Sequence, residues 1–236
     1  MSLLTIVQNA AGRLGLDIPG AVVGNTNENV VSMFRLANQE GKALSRRYPW
    51  QVLMKEKIFT TTAAAIQVGA IPSDYDGWII PDSMYNRTSG RPVNGPINSA
   101  EWQAAQATLV TRVVDTFRIR GNDILITPTP AAGETIAYEY QSQNWVDTSG
   151  IDNIGDKVQF SLDADNPVID TEIITLGVVW RFLQRRGLDY SEAMLDYERE
   201  FAQRAMRDGS KPRLAMDLGR GDRIPHPPVM PETLVF

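Results

Sequence analysis

The 236-residue sequence contains no cysteine, one histidine and no apolar run long enough to cross a membrane. The lack of cysteine excludes disulfides, thiolate nucleophiles and thiolate metal sites together, and it is typical of a chain that folds in a reducing cytoplasm. A membrane helix needs about 20 mostly apolar residues, so no membrane partner is predicted. Residues 1–15 also lack the basic start and the continuous apolar segment of a signal peptide.

Few residues are suited to catalysis or to metal binding. The only histidine, His226, lies between two prolines, with no neighbouring base or carboxylate to orient it. Asp163 and Asp165 weakly resemble a calcium loop, but the glycine and the terminal glutamate of such a loop are missing, so a solvated turn is favoured. No phosphate-binding glycine loop and no nucleophile elbow occurs. The sequence predicts neither cofactor nor metal, and it favours a protein that is not an enzyme.

The charge balance limits the classes of partner. With 23 Lys and Arg against 28 Asp and Glu, the net charge is −5. Nonspecific binding of nucleic acid depends on cationic side chains that displace counterions, so the chain is not expected to have phosphate binding as its main role. The hydrophobic fraction of 43% and the charged fraction of 22% are those of an ordinary globular protein.

Helical periodicity appears first at the N-terminal end. Apolar residues at steps of three and four predict a helix over roughly residues 3–15. Asn25 and Glu28 resemble a capping pair, and the periodicity after them predicts a second helix to about Arg47, before Pro49.

The same periodicity returns near the C-terminal end. Asp170 is suited to cap a helix that Gly187 ends. Asp189 and Glu192 can cap a further helix, which closes at Gly209. Helices from both ends are expected to pack as one bundle, because each has a single apolar stripe to bury.

The middle of the chain has the composition of β-strands. Segments rich in β-branched and aromatic residues alternate with Gly, Pro, Asn and Asp turns from Trp50 onward. The turn Gly121-Asn122 predicts a hairpin, and a strand after Gly133 is expected to continue it as a meander. Ser99 can cap one short helix among these strands.

The predicted fold is α+β: a bundle of N- and C-terminal helices, an inserted β-rich domain and an extended C-terminal arm. The corresponding boundaries are 1–49 and 169–209 for the bundle, 50–168 for the insert with its short helix, and 210–236 for the arm. The last 27 residues contain five prolines and no usable periodicity, yet they end in the apolar sequence Leu234-Val235-Phe236.

Residues 82–97, DSMYNRTSGRPVNGPI, form an unusual polar segment, and Glu101-Trp102 follows it. This segment resembles the head-to-tail adaptor proteins of tailed bacteriophages, which are related in architecture to tail tubular protein A. Residues 117–146, residues 174–198 and the Arg207-Asp208-Gly209 tripeptide extend the likeness over most of residues 50–209.

The resemblance implies a structural virion protein at the head-tail junction, made in the cytoplasm of a host bacterium. About twelve copies would form a ring beneath the portal protein, join it to the next tail component (tail tube, nozzle or terminator), and let genome DNA pass through the lumen. The arm would dock onto the portal through its prolines and apolar residues: Ile224, Pro225, Pro227, Pro228, Val229, Leu234, Val235 and Phe236. Prolines limit the entropy that such an arm loses on docking.

Other interpretations remain open at this point. Arg87 and Arg91 are expected either to pair with carboxylates of a neighbouring subunit or to fix their loop to its own β domain. The chain could instead be a tail-tube or nozzle subunit. A third hypothesis is a glycan-binding or hydrolytic β domain that uses Asp74 and Asp76, with Trp78 and Trp102 as exposed rings.

Overall fold

The computed structural model describes residues 1–107, 114–150 and 154–209. Within these ranges the chain forms five α-helices and several antiparallel β-sheets. It is therefore a mixed α and β protein, which is compatible with the predicted α+β class. None of the helices in these ranges combines the length and apolar content that a membrane crossing requires.

The helices lie near the positions that the periodicity predicted. They are α1 (Leu3–Arg13), α2 (Glu28–Arg47), α3 (Ser99–Ala107), α4 (Thr171–Arg186) and α5 (Ser191–Asp208). The cap predicted at Asp170 is confirmed, because its side chain accepts a hydrogen bond from the Glu172 N–H. Gly187 ends α4 in the left-handed conformation, with φ of 70°.

The predicted Asp189–Glu192 cap is wrong, because Tyr190 stands at the N-cap position of α5 and makes no side-chain cap bond. Two other predicted caps were wrong by one or two residues. Asn27, and not Asn25, caps α2 by accepting from the Asn29 N–H at 2.9 Å. Asn98, and not Ser99, caps α3, because Asn98 and Glu101 exchange reciprocal hydrogen bonds. In both places neighbouring residues of similar capping ability compete, and the side chain that reaches a free N–H decides.

The helices other than α3 share one hydrophobic core, in which α4 packs against α1, α2 and α5. Three aromatic residues of the predicted β-rich insert, Trp50, Trp145 and Phe160, belong to this core, and the last two contact each other edge to face at 4.8 Å. The Trp145 ring lies against α2 at Gly41, where any side chain would overlap it. A glycine in the middle of α2 therefore lets the two regions pack together.

A buried ion pair crosses the same core. Glu40 of α2 is fully buried and accepts hydrogen bonds from Arg181 Nε of α4 and from the Tyr197 hydroxyl of α5. Gly177 of α4 leaves the space that the Glu40 side chain occupies. Three helices are thus joined through one carboxylate.

The first turn of α1 is bonded to a distant loop. The Leu3 N–H donates to the Asp165 carbonyl at 2.8 Å, and the Leu4 N–H donates to the Asp163 carbonyl at 3.2 Å. The Asp163 carboxylate also accepts from the backbone of Val22 and Val23. N–H groups that the helix leaves unsatisfied are therefore paired within the protein.

The strands form three sheets. Their bounds are β1 (Met54–Thr60), β2 (Ile66–Gln67), β3 (Tyr75–Ile79), β4 (Tyr85–Asn86), β5 (Arg91–Pro92), β6 (Thr116–Arg120), β7 (Asp123–Thr127), β8 (Thr135–Ser142), β9 (Val146–Asp147) and β10 (Asn166–Pro167). The largest sheet has the order β1-β8-β4-β5, with β3 also paired to β8. β2, β7 and β6 form a second sheet, and β9 pairs with β10.

The predicted hairpin of β6 and β7 is confirmed, with Phe117 opposite Ile126. The predicted meander is wrong, because β8 does not pair with β7; it pairs with β1, β3 and β4 in the larger sheet. Pro128 and Pro130 follow β7 and supply no N–H groups for a ladder. The chain therefore leaves one sheet and enters the other between β7 and β8.

Candidate interaction surfaces

Arg87 and Arg91 lie on a hairpin that joins β4 to β5. Asn86 closes its turn, because its buried Oδ1 accepts from the N–H groups of Thr88 and Ser89, both at 3.1 Å. Gly90 has φ of 67°, a conformation that favours glycine. The turn-forming residues of this segment thus build a short, defined hairpin.

The Arg87 guanidinium forms an ion pair with Glu56 of β1, and both side chains are about half exposed. Arg87 therefore has a partner within its own chain. Its contact with a neighbouring subunit stays a prediction.

Arg91 lines a cleft of about 180 Å³ together with Asp115 and Glu134. Burial, and then the negative charge of Glu134, raise the pKa of Asp115, while the charge of Arg91 partly offsets this. Glu134 also accepts from Asn86 Nδ2 at 2.9 Å. Arg91 thus lies beside two carboxylates of its own chain, and its role between subunits likewise stays a prediction.

Asp74 connects β1 and β8 through hydrogen bonds to its side chain. Its carboxylate accepts from Lys55 Nζ at 3.0 Å, Ser142 Oγ at 2.7 Å and the Tyr140 hydroxyl at 2.8 Å. Although burial acts to raise it, the pKa of Asp74 is lowered by these three donors. A carboxylate so fully engaged is poorly placed for proton transfer.

The remaining residues of the glycan or hydrolase hypothesis are dispersed. Asp76 lies 3.4 Å from Arg46. Trp102 is buried, whereas Trp78 is partly exposed. Across the described part of the chain, no three acidic or histidine side chains converge as ligands for a metal. The described geometry therefore offers little support for that hypothesis.

The turn that contains Asp165 differs from the predicted solvated turn. Its carboxylate is buried and accepts from Lys157 Nζ at 3.1 Å and from the N–H groups of Ser161 and Leu162. Burial acts to raise the pKa of Asp165, but these donors outweigh burial and lower it. This carboxylate organises the loop whose backbone carbonyls accept from the first turn of α1.

A basic stripe lies on the exposed face of α2. Arg35, Gln39, Lys42 and Arg46 are exposed at helical spacing and share one side of the helix. The acidic residues of α2 are Glu28 at its start and the buried Glu40. The stripe therefore carries three positive charges on a protein whose net charge is negative.

An acidic and apolar face lies on α5. Asp189, Glu192 and Asp196 are exposed at its N-terminal end. Leu195 and Met206 on the same exposed side are 64% and 81% accessible. Arg199 pairs with Asp196 at 2.9 Å and offsets one of the negative charges. This face lies opposite the one that packs on the core through Tyr197, Phe201 and Ala205.

A cleft of about 320 Å³ adjoins the basic stripe. Gln39, Lys42 and Arg46 of α2 line it together with Asp76, and Val158 contributes apolar surface beside the buried Trp145. Val158 is exposed. The cleft thus combines two basic side chains and one acidic one with apolar surface at Val158.

These two helix faces are not evident from the sequence alone. The spacing of Arg35, Lys42 and Arg46 is visible in the sequence. This spacing indicates a basic face only once Glu40 is known to be buried, because the exposed side of the helix near these residues then carries no acidic side chain. The predicted arm residues lie outside the described ranges.

No known family model matches the chain, and no curated protein matches it either.

Proposed function

We propose that the chain is the head-to-tail adaptor of a tailed bacteriophage, a non-enzymatic virion protein that forms a ring beneath the portal. The observation that carries the proposal is the segment most similar to that family. Residues 82–97 build a specific element, the β4–β5 hairpin with Asn86 at its turn and Arg87 and Arg91 on it. A segment of that composition is expected to serve as a rigid projection rather than as filler.

The order of elements along the chain supports the proposal. α1 and α2 precede the strands, α4 and α5 follow them, and these four helices share one core. In this proposal they are the helical bundle of the adaptor, and the β-rich region faces the next tail component.

Residues 210–236 are the arm in this proposal, with the docking residues named above. Extended, proline-containing segments bind through spaced side chains and lose little conformational entropy. The arm would join each adaptor to the portal, and DNA would pass through the lumen without specific contacts.

The test is a capture experiment from infected-cell lysate. One bait is the full chain, and the other ends at Gly209; thermal unfolding first establishes that both are folded. We expect the portal protein to be recovered by the full chain alone. Recovery of a different tail protein by both baits would favour the tail-tube alternative, and recovery of no virion protein would overturn the proposal.

A further inference from the structure

We propose that the exposed face of α5 in one copy of the chain docks onto the basic stripe of α2 in a second copy. The contact is heterologous, because each copy contributes a different surface. This inference rests on the proposed ring, and it names the surfaces that neighbours would use.

Charge complementarity is the first observation that supports it. The α2 stripe presents Arg35, Lys42 and Arg46 with no exposed acid among them. The start of α5 presents Asp189, Glu192 and Asp196, offset only by Arg199. Opposite charges on facing surfaces set register and partner choice. Neither face is neutralised within the described chain, apart from the pairs Arg46–Asp76 and Arg199–Asp196.

The distribution of apolar surface is the second observation. Leu195 projects from α5 beside Glu192 and Asp196, and it is 64% accessible. The cleft beside Lys42 and Arg46, which Asp76 also lines, has exposed apolar surface at Val158, and Trp145 lies buried beside it. An apolar side chain flanked by acids thus has a counterpart in exposed apolar surface beside two bases. Burial of Leu195 there would add the hydrophobic contribution that surface ion pairs alone lack.

The geometry of the helices permits repetition. On α2 the basic stripe points away from the core, whereas Glu40 and Arg47 face α5 of the same chain. On α5 the acidic face points away from Tyr197 and Phe201, which pack on that core. The two surfaces therefore lie on two different helices of one subunit, and each faces away from the core. In a dimer formed this way, one copy still has a free α2 stripe and the other a free α5 face, so further copies can add. The chain of copies closes into a ring when the rotation between neighbours divides a full turn evenly.

Cysteine cross-linking tests the arrangement, because the natural chain has no cysteine. Gln39→Cys marks the α2 stripe and Gln203→Cys marks the exposed face of α5, with no change of charge. The two variants, tagged to differ in mass, are mixed at high concentration with a short bismaleimide reagent. We expect mixed dimers to exceed either homodimer, and their yield to fall at high salt.

Exposed positions away from both faces provide the control. Asp17→Cys mixed with Asn122→Cys measures the background of random collisions. A yield of mixed dimer no greater than this background would overturn the inference. Predominant Gln203→Cys homodimers would also overturn it, because they would indicate a two-fold pairing of α5.

Charge reversal provides a second measurement. Arg35→Glu with Lys42→Glu, and separately Glu192→Lys with Asp196→Lys, should each weaken association by about tenfold or more, because like charges then face each other. Mixing the two reversed variants should restore it, since each supplies the surface that the other needs. Failure to restore association would contradict the pairing.

Nucleic acid is the other candidate for a basic stripe. Binding of a fluorescent 20-base-pair duplex, lost in Arg35→Glu with Lys42→Glu and unaccompanied by cross-linking above background, would assign the stripe to DNA and overturn the inference. Portal capture is measured separately. Capture without cross-linking would leave the adaptor function standing and remove only this interface.

Discussion

Arg87, directly after β4, and Glu56 of β1 form an ion pair that spans β8, the strand between β1 and β4. Ala137 of β8 lies opposite both Ile58 and Tyr85, so the three residues form a row across the sheet. Ile58 and Tyr85 are 49% and 45% accessible, whereas Ala137 is only 3% accessible. The ion pair crosses this row diagonally and contributes to covering the alanine.

We expect Arg87→Ala to lower the free energy of unfolding by less than about 1 kcal/mol, because exposed ion pairs contribute little. Urea unfolding measures the change, with the exposed Arg120→Ala as the matched control. A loss above about 2 kcal/mol would show that the pair is a major structural clamp. If stability is retained, any loss of ring assembly in Arg87→Ala can be assigned to contacts between subunits.

We expect removal of the Arg181 side chain to lower the free energy of unfolding much more than removal of the Arg87 side chain. Arg181→Met leaves the buried Glu40 carboxylate with Tyr197 as its remaining donor, and we expect about 3 kcal/mol of destabilisation. Burial, and then the Glu40 charge, raise the pKa of the Tyr197 hydroxyl, which keeps it protonated as a donor. Urea unfolding at pH 7 measures the effect.

A double-mutant cycle separates this ion pair from packing. Glu40→Gln with Arg181→Met should be less destabilising than the sum of the two single changes, because no buried charge is left unpaired. Strict additivity would show that the two side chains do not interact energetically.

Asp165 should make stability depend on pH in the acid range. Its pKa is lower in the folded protein than the unfolded value of about 3.9. Its contribution is therefore present above pH 4 and is lost as the pH falls through the folded pKa. We expect Asp165→Asn to cost about 2 kcal/mol at pH 7 and to lose less stability than the natural chain between pH 4 and pH 2. Urea unfolding across this range tests it, with exposed Asp17→Asn as control; parallel curves for Asp165→Asn and the natural chain would contradict it.

We expect glycine-to-alanine substitution to change protein stability in opposite directions at two helical glycines. Gly41→Ala places a methyl group within the Trp145 ring, so the packing must shift, and we expect a loss of about 2 kcal/mol or more. Gly12→Ala in α1 meets no atom within 4 Å, and it should stabilise the protein by roughly 0.5–1 kcal/mol. Thermal unfolding of the pair tests this; an equal response would show that Trp145 can move aside at little cost.

The helices could be predicted because their signals are local. The apolar spacing of α4, its cap at Asp170 and its end at Gly187 all lie within one continuous segment. The β6–β7 hairpin was predictable for the same reason, since Gly121 and Asn122 stand between two alternating strands.

The remaining features depend on contacts between distant segments. β8 is placed by three strands from earlier in the chain, and no pattern within residues 135–142 identifies them. From the sequence, Trp145 could belong to the core of the helices or to that of the β-rich region. The structure decides between them, because the ring packs against Gly41 of α2. Two-residue strands such as β9 and β10 are too short to show alternation.

The bonds from Leu3 and Leu4 to the carbonyls of Asp165 and Asp163 also set an order of events during synthesis. The partners of α1 in that loop, and then in α4, follow it by about 160 residues of chain. At translation rates of roughly 5–20 residues per second, this separation is on the order of 10–30 seconds. During that interval α1 and α2 have been made, but the loop at Asp163–Asp165 and α4, which complete the packing of α1, have not. The strands of β1 to β8, which pair among themselves, are complete earlier and can fold before the helical core closes.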